Sequence, residues 1–347
     1  MTIVYAMVFL GILIFVHEFG HFLTARITGV RVKKFSIGFG PAILKIRRKE
    51  TEYAISLIPF GGYVRMLGET PDEKNEPDSY LSKPPSTRAL IAFAGSFFNF
   101  FTAIIFCILL EMIGYDAPLP YVGEVMKGYP AEKAGIITGD LVLEIEGNKI
   151  DVWSDIYEVV NKYGDRELSF VVKRGEEVIS FKIRPVKEKI EEEGKERFIV
   201  GIKPSPDKTK RIRNGFFQSI ISGTRTTFFM AGATFRGVWG LITGRIPASE
   251  LRGPIFIMKT AGEAGKESWR KFFYLLALIS VNLAILNLIP IPALDGGLIL
   301  ISLFEIIIRR EVPDRFRLAL QVFGFFLIFL IFAFVLYNDI HTTIRGR

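Results

Sequence analysis

From Thr2 to Ala25 the chain carries a single charged residue, Glu18, in an otherwise apolar run. About 20 such residues cross a bilayer as a helix. In hydrocarbon every backbone polar group must be satisfied within the protein, so such a run commits the chain to a helical membrane fold. A secretory signal peptide is a poor match, because no Lys or Arg precedes the run and a His-Glu pair lies inside it. Segments 89–114, 272–304 and 317–337 also reach spanning length, so four transmembrane helices are expected.

The first span contains His17-Glu18-Phe19-Gly20-His21. On a helix His17 and His21 are one turn apart on one face. That spacing lets two imidazoles reach one zinc ion and leaves Glu18 beside it as a proton acceptor. The plain alternative is polar residues that cap or cross a helix. The cost of ionisable groups at membrane depth argues for function.

Composition narrows the remainder. The net charge of +8 could suggest nucleic acid, but the basic residues cluster beside apolar runs, as cytoplasmic flanks do, and no nucleic-acid partner is expected. The single cysteine, Cys107, excludes an internal disulfide and a cysteine zinc site. With only three histidines, a third ligand is His341 or a carboxylate.

Residues 1–25 form the first helix. Residues 26–88 hold twelve Lys or Arg against seven Asp or Glu, which makes them a cytoplasmic loop and puts the N-terminus outside. In that loop Lys33 to Ile46 and Glu52 to Met66 read as strands. The stretch through Pro59-Phe60-Gly61-Gly62-Tyr63-Val64 is too apolar for a solvated hairpin. Either it dips into the membrane and offers a strand edge to an extended substrate, or it is an ordinary packed hairpin. Residues 68–86 read as a polar linker. In the second span, Gly95 and Asn99 permit close helix approach and one interhelical hydrogen bond.

Residues 115–190 turn soluble. A strand at Tyr121–Val125, a short helix at Tyr129–Gly135, Gly139-Asp140 before another strand, a helix near 153–163 and strands 167–174 and 177–184 follow in order. This stretch resembles a PDZ domain, through Pro130-Ala131-Glu132-Lys133-Ala134-Gly135 and Gly139-Asp140. The resemblance implies a groove for peptide C-termini, with Tyr121, Val122 and Gly123 as the carboxylate-binding loop. A PDZ fold without a ligand, acting as a steric plug, is the other reading. The expected fold class is therefore a polytopic α-helical membrane protein with four transmembrane helices, a membrane-associated β hairpin or sheet, and an inserted PDZ (α+β) domain.

Residues 191–271 read as a charged linker that holds one more strand, Phe198 to Ile202, followed by one or two amphipathic helices, 215–244, on the outer membrane surface. Segment 272–304 is a span broken at Pro290-Ile291-Pro292, with Asp295 just beyond. A carboxylate at that depth needs a cation, and a zinc held by His17 and His21 makes Asp295 the third ligand. Capping the next helix is the alternative role. Residues 305–316, with Arg309, Arg310 and Arg315, form a cytoplasmic loop. This topology places His21 and Asp295 both toward the cytoplasmic side and His341 outside.

Together the His17–His21 motif, the Pro59–Val64 loop, the PDZ-like insert and the run from Asn282 to Gly297 resemble a bacterial site-2 protease of the regulator-of-sigma-E type, over essentially the whole chain. The resemblance implies intramembrane zinc proteolysis in a bacterial inner membrane, with His17, His21 and Asp295 on zinc and Glu18 as general base. It implies that Asn287, and Asn282 beside it, hold substrate or the developing oxyanion. Gly61, Gly62 and Tyr63 would belong to the β element that pairs with substrate. Implied partners are the lipid bilayer and transmembrane substrates such as anti-sigma factors and signal-peptide remnants. Tandem PDZ units are usual in the best-known members; this chain has one. A non-catalytic adaptor or a metal transporter would also use parts of this pattern, but neither needs Glu18 as a base.

Overall fold

The structure, a computed structural model, describes residues 2–69, 73, 76–190 and 195–344. Residues 70–72, 74 and 75 of the expected 68–86 linker, and 191–194 of the next one, lie outside the described residues. The chain forms two compact units. One comprises Met1–Met112 with Gly215–Arg347, and the other Ile113–Asn214.

The first unit opens with α1 (Thr2–Ile27), followed by β1 (Val32–Arg48) and β2 (Thr51–Met66). The two strands are long and bent, and each pairs twice. Phe35 faces both Val64 and Tyr53, whereas Ile46 pairs with Tyr53. The resulting order across the sheet is 62–66, 32–37, 52–56, 42–48. Its open edges are therefore 62–66 and 42–48. Phe22, Phe35, Val64 and Met66 pack the sheet onto the end of α1. Ile43, Leu44 and Ile46 on the far edge stay exposed. Then α2 (Pro85–Ile113) leads out of this unit.

The second unit is built from β3 (Tyr115–Pro118), β4 (Val122–Val125), α3 (Pro130–Ala134), β5 (Leu141–Ile145), β6 (Asn148–Lys149), α4 (Trp153–Tyr163), β7 (Leu168–Arg174) and β8 (Glu177–Ile183). It continues through β9 (Val186–Ile190), β10 (Lys195–Ile199), β11 (Ile202–Pro204) and β12 (Thr209–Ile212). Strands β6-β5-β7-β8 form one antiparallel sheet. Phe170, Val172, Ile145 and Ile156 are buried in its core. The expected linker begins too early. β11 pairs with β4, β12 pairs with β3, and Val200 and Ile202 enter the core, so residues 195–212 complete this unit.

The chain then returns through α5 (Phe216–Ile242), α6 (Pro254–Glu267), α7 (Trp269–Asn287), α8 (Asp295–Ile308) and α9 (Asp314–Ile344). Among the described residues four helices are long and apolar enough to cross a membrane: Thr2–Ile27, Pro85–Ile113, Trp269–Asn287 and Asp314–Thr342. Segment 215–244, expected as one or two surface helices, is one continuous helix. Its buried stripe of Ser219, Gly223, Thr227 and Met230 packs onto other helices, with Gly223 against the α2 backbone and Met230 among Ala103, Ala277 and Val281. The Thr227 hydroxyl donates to the Gly223 carbonyl, so polar residues on this stripe need no water.

Candidate metal centre

The broken third apolar run places the site. Leu288–Leu294 is not helical, and α8 restarts at Asp295. The turn is tight: a Cβ on Gly296 would fall 2.3 Å from the Ile289 carbonyl, and one on Gly297 2.4 Å from that of Ile291. Asp295 occupies the first helical position, with Leu294 as the N-cap and no side-chain cap bond. The capping role is therefore not the one its carboxylate plays, and its Oδ2 has no hydrogen-bond partner.

That carboxylate faces α1. His17 Nε2 lies 3.4 Å from Asp295 Oδ2, and His21 Nε2 lies 3.5 Å from Oδ1. The two Nε2 atoms are 3.2 Å apart. Atoms on a tetrahedron of Zn–N and Zn–O bonds near 2.0–2.1 Å are separated by about 3.3 Å, so the two nitrogens, and each nitrogen with one carboxylate oxygen, stand near the edge lengths of a zinc site. The tautomers fit as well. His21 Nδ1 donates to the Ile91 carbonyl at 2.8 Å, which leaves its Nε2 lone pair free. His17 Nδ1 faces the Asn99 amide at 3.3 Å, and Asn99 Oδ1 is otherwise unpartnered. The Gly95 backbone also hydrogen-bonds the His17 ring, and a donor bond from Nδ1 to a backbone carbonyl leaves Nε2 free for a metal. Two lone pairs and a carboxylate in such close contact repel unless a cation lies between them.

Close approach of α2 is what holds the imidazoles. A Cβ on Gly95 would come within 2.4 Å of His21 Nε2, and one on Gly20 within 2.5 Å of the Ala94 carbonyl. Sequence reading singles out Gly95 and Asn99 for helix contact only. That their contact is with the metal ligands needs the fold.

Glu18, His21 and Asp295 line one cavity of about 360 Å³, which also reaches Glu69, Arg88 and Arg317. The Val64 backbone amide faces the Glu18 carboxylate. Gly62 packs against Ile14, the Ser36 carbonyl and Glu18 Cγ, so the 62–66 edge runs alongside the base. Gly61 abuts the Phe39 ring, and Tyr63 stacks on Phe39 at 6.1 Å and lies under Lys34. Asn287 Nδ2 is 3.4 Å from His17 Nε2. Asn282 does not join it: its Oδ1 accepts from the Thr234 hydroxyl at 2.6 Å, a bond between α5 and α7.

Tyr121, Val122 and Gly123 also depart from expectation. The Tyr121 amide donates to Leu119 and that of Val122 to Asp140, while the Val122 side chain is buried in the core. A carboxylate-binding loop needs free amides, and these are spent. The groove beside α4 is instead bordered by Phe198–Lys203, with Trp153, Tyr157 and Val160 on the helix side. Phe198 to Ile202 reads as a strand within a linker, and that it borders this groove needs the fold.

The sequence model of Peptidase family M50 matches residues 5–331. A provisionally named zinc metalloprotease of Clostridium perfringens is 34% identical over 98% of both chains. One from Helicobacter pylori strain J99 is 35% identical over 96% of this chain and 98% of its own, and one from Campylobacter jejuni is 33% identical over 95% and 91%. Among solved structures, the PDZ domain of the SdrC-like protein of Listeria monocytogenes aligns at 23% identity and a TM-score of 0.22, covering 27% of this chain and 92% of that one. With a family match over nearly its whole length and relatives of this kind, the chain belongs to Peptidase family M50 and is a zinc metalloprotease.

Proposed function

We propose that this protease cleaves peptide bonds within the membrane, in helices already shortened by another protease, such as anti-sigma factors and signal-peptide remnants. The observation that carries this is the placement of His17 and His21 deep in an apolar helix of spanning length, opposite Asp295 at the break of another apolar run. His17, His21 and Asp295 would hold the zinc, which supplies Lewis acidity toward water and the peptide carbonyl. Glu18 takes the proton from the attacking water and hands it to the leaving nitrogen. Asn287, beside His17, is placed to donate to the carbonyl oxygen as charge develops there.

A transmembrane helix hides its peptide bonds in its own hydrogen bonds, so it must unwind first. The open 62–66 edge offers replacement main-chain partners next to Glu18. The exposed aliphatic residues Ile43, Leu44 and Ile46 suit contact with lipid. By the charge bias of its loops, the site opens toward the cytoplasmic side of a bacterial inner membrane and residues 113–214 lie outside. The second unit acts as a PDZ-type module, and its groove beside α4 is where an exported peptide C-terminus would bind.

The test is cleavage of a truncated model membrane helix by purified protein in detergent, with zinc content assayed. Wild type should cleave; Glu18→Gln should keep zinc and not cleave; chelation should abolish both. Persistent cleavage by Glu18→Gln would overturn the assignment of the base.

A further inference from the structure

Backbone direction on the 62–66 strand can be read from its bonds. The Leu67 amide donates to the Arg31 carbonyl, toward the 32–37 strand. Successive amides alternate along a strand, so those of Met66, Val64 and Gly62 point away from the sheet, to the open edge. The Val64 amide faces Glu18. The Met66 amide donates to Glu69 Oε1 at 3.0 Å. Both carboxylates line the cavity that contains His21 and Asp295. An extended peptide added to this edge would have to place its own carbonyl oxygens on these same amides.

We propose that Glu69 is an internal stand-in for substrate: its carboxylate occupies the Met66 amide in the free enzyme and is displaced by a main-chain carbonyl of the bound substrate strand. This rests on the strand-pairing reading given above. The stand-in serves two ends. Met66 is buried, so its edge amide is costly when unpaired, and Glu69 satisfies it until substrate arrives. It also sets a threshold, because only a segment that has given up its helical bonds can compete for the amide. Glu69 is thus a positioning residue for the substrate-binding edge and takes no part in the proton transfers. Its residue is exposed as a whole, so water is at hand to receive the carboxylate when it swings away.

The experiment uses full-length protein with ¹⁵N-methionine labelling. The chain has seven methionines, few enough to resolve the Met66 amide and assign it through Met66→Leu. Exchange of that amide is followed with and without a model substrate helix, in a Glu18→Gln background so the helix stays intact. Steady-state kinetics are run on Glu18-containing enzyme. In Glu69→Ala without substrate, the Met66 amide should exchange at least ~10-fold faster than in the parent, the free energy of one hydrogen bond. Substrate should slow it to the same rate in both. KM should fall several-fold, with the gain in KM rather than kcat, and Glu69→Gln, which still accepts a hydrogen bond, should restore KM. If substrate slows the amide but KM is unchanged or raised in Glu69→Ala, the stand-in is wrong and strand pairing stands. If substrate slows the amide in neither protein, strand pairing falls and the stand-in with it.

Discussion

Helix α8 carries two inward-facing carboxylates, a half-buried Asp295 at its start and a buried Glu305 ten residues on, about 15 Å along the axis. Glu305 is fully covered, and its charge is met from within the chain. Arg317 Nη2 lies 2.6 Å and the Val312 amide 3.0 Å from Oε1, while Arg88 Nη2 lies 2.8 Å from Oε2. Among the described residues no arginine or lysine forms an ion pair with Asp295. Its nearest charged neighbours are two imidazole nitrogens aimed at it. A buried charge must be paired. Where the chain supplies the cations, the carboxylate ties α2, α8 and α9 together; at Asp295 a zinc ion shared with His17 and His21 would supply the charge.

The largest effects should separate the two. Glu18→Gln should lower cleavage by at least ~10²–10⁴-fold with zinc retained. Asp295→Ala should lose both activity and stoichiometric zinc, which metal analysis of the purified variant would check. If Asp295→Ala keeps tight zinc, the contrast breaks. Glu305→Ala should leave two arginines facing each other and destabilise the fold by about 3–5 kcal/mol. Chemical unfolding in detergent measures that loss, and the protein that remains folded should still bind zinc.

A sharper version replaces Arg88, Glu305 and Arg317 together with Met, Leu and Met. Removing the whole cluster should cost far less than Glu305→Ala alone, since no charge is stranded. A loss as large as the single change would mean the cluster does more than neutralise itself.

A third carboxylate, the buried Asp140 in the second unit, extends the comparison outside the membrane helices. Burial alone would raise its pKa, but Arg174, with Nε and Nη2 each at 2.8 Å, and the Ile137 amide outweigh that and hold it below the usual carboxylate range. Its folded-state pKa is depressed, so the stabilisation is present above the unfolded value near 3.9 and is lost as pH falls through the folded one. Asp140→Asn should cost about 1.5–3 kcal/mol at neutral pH, and the difference from wild type should vanish in acid; thermal unfolding at pH 7 and below pH 3 would show it. The smallest effect is expected for Asn282→Ala, about 0.6 kcal/mol, the typical worth of an interhelical bond in a membrane. A large fall in kcat for that variant would return Asn282 to the substrate site.

How far the sequence could be read follows from what makes each feature. His17, Glu18 and His21 are legible because helical spacing alone puts two ligands on one face. Asp295 is legible because an acid beside two prolines in an apolar run has few reasons to exist. Tyr121, Val122 and Gly123 take the loop role from the PDZ resemblance, and that β11, some eighty residues on, pairs with this strand is not visible locally. Long-range pairing leaves no local trace. α5 reads as an amphipathic helix through Arg225 and Arg236, whereas the stripe of small residues by which it packs carries a weaker signal. Glu69 escaped notice because a glutamate near a turn is ordinary until the direction of the Met66 amide is known.

The spacing of the ligands also bears on biosynthesis. His17 and Asp295 are 278 residues apart in the chain yet 3.4 Å apart in the fold. At 5–20 residues per second, the ribosome delivers the third ligand roughly 15–55 s after the first two. Throughout that interval α1 and α2 are available to insert and pair while the hydrolytic centre is incomplete. A centre that needs Asp295 cannot form before α8 has joined the bundle.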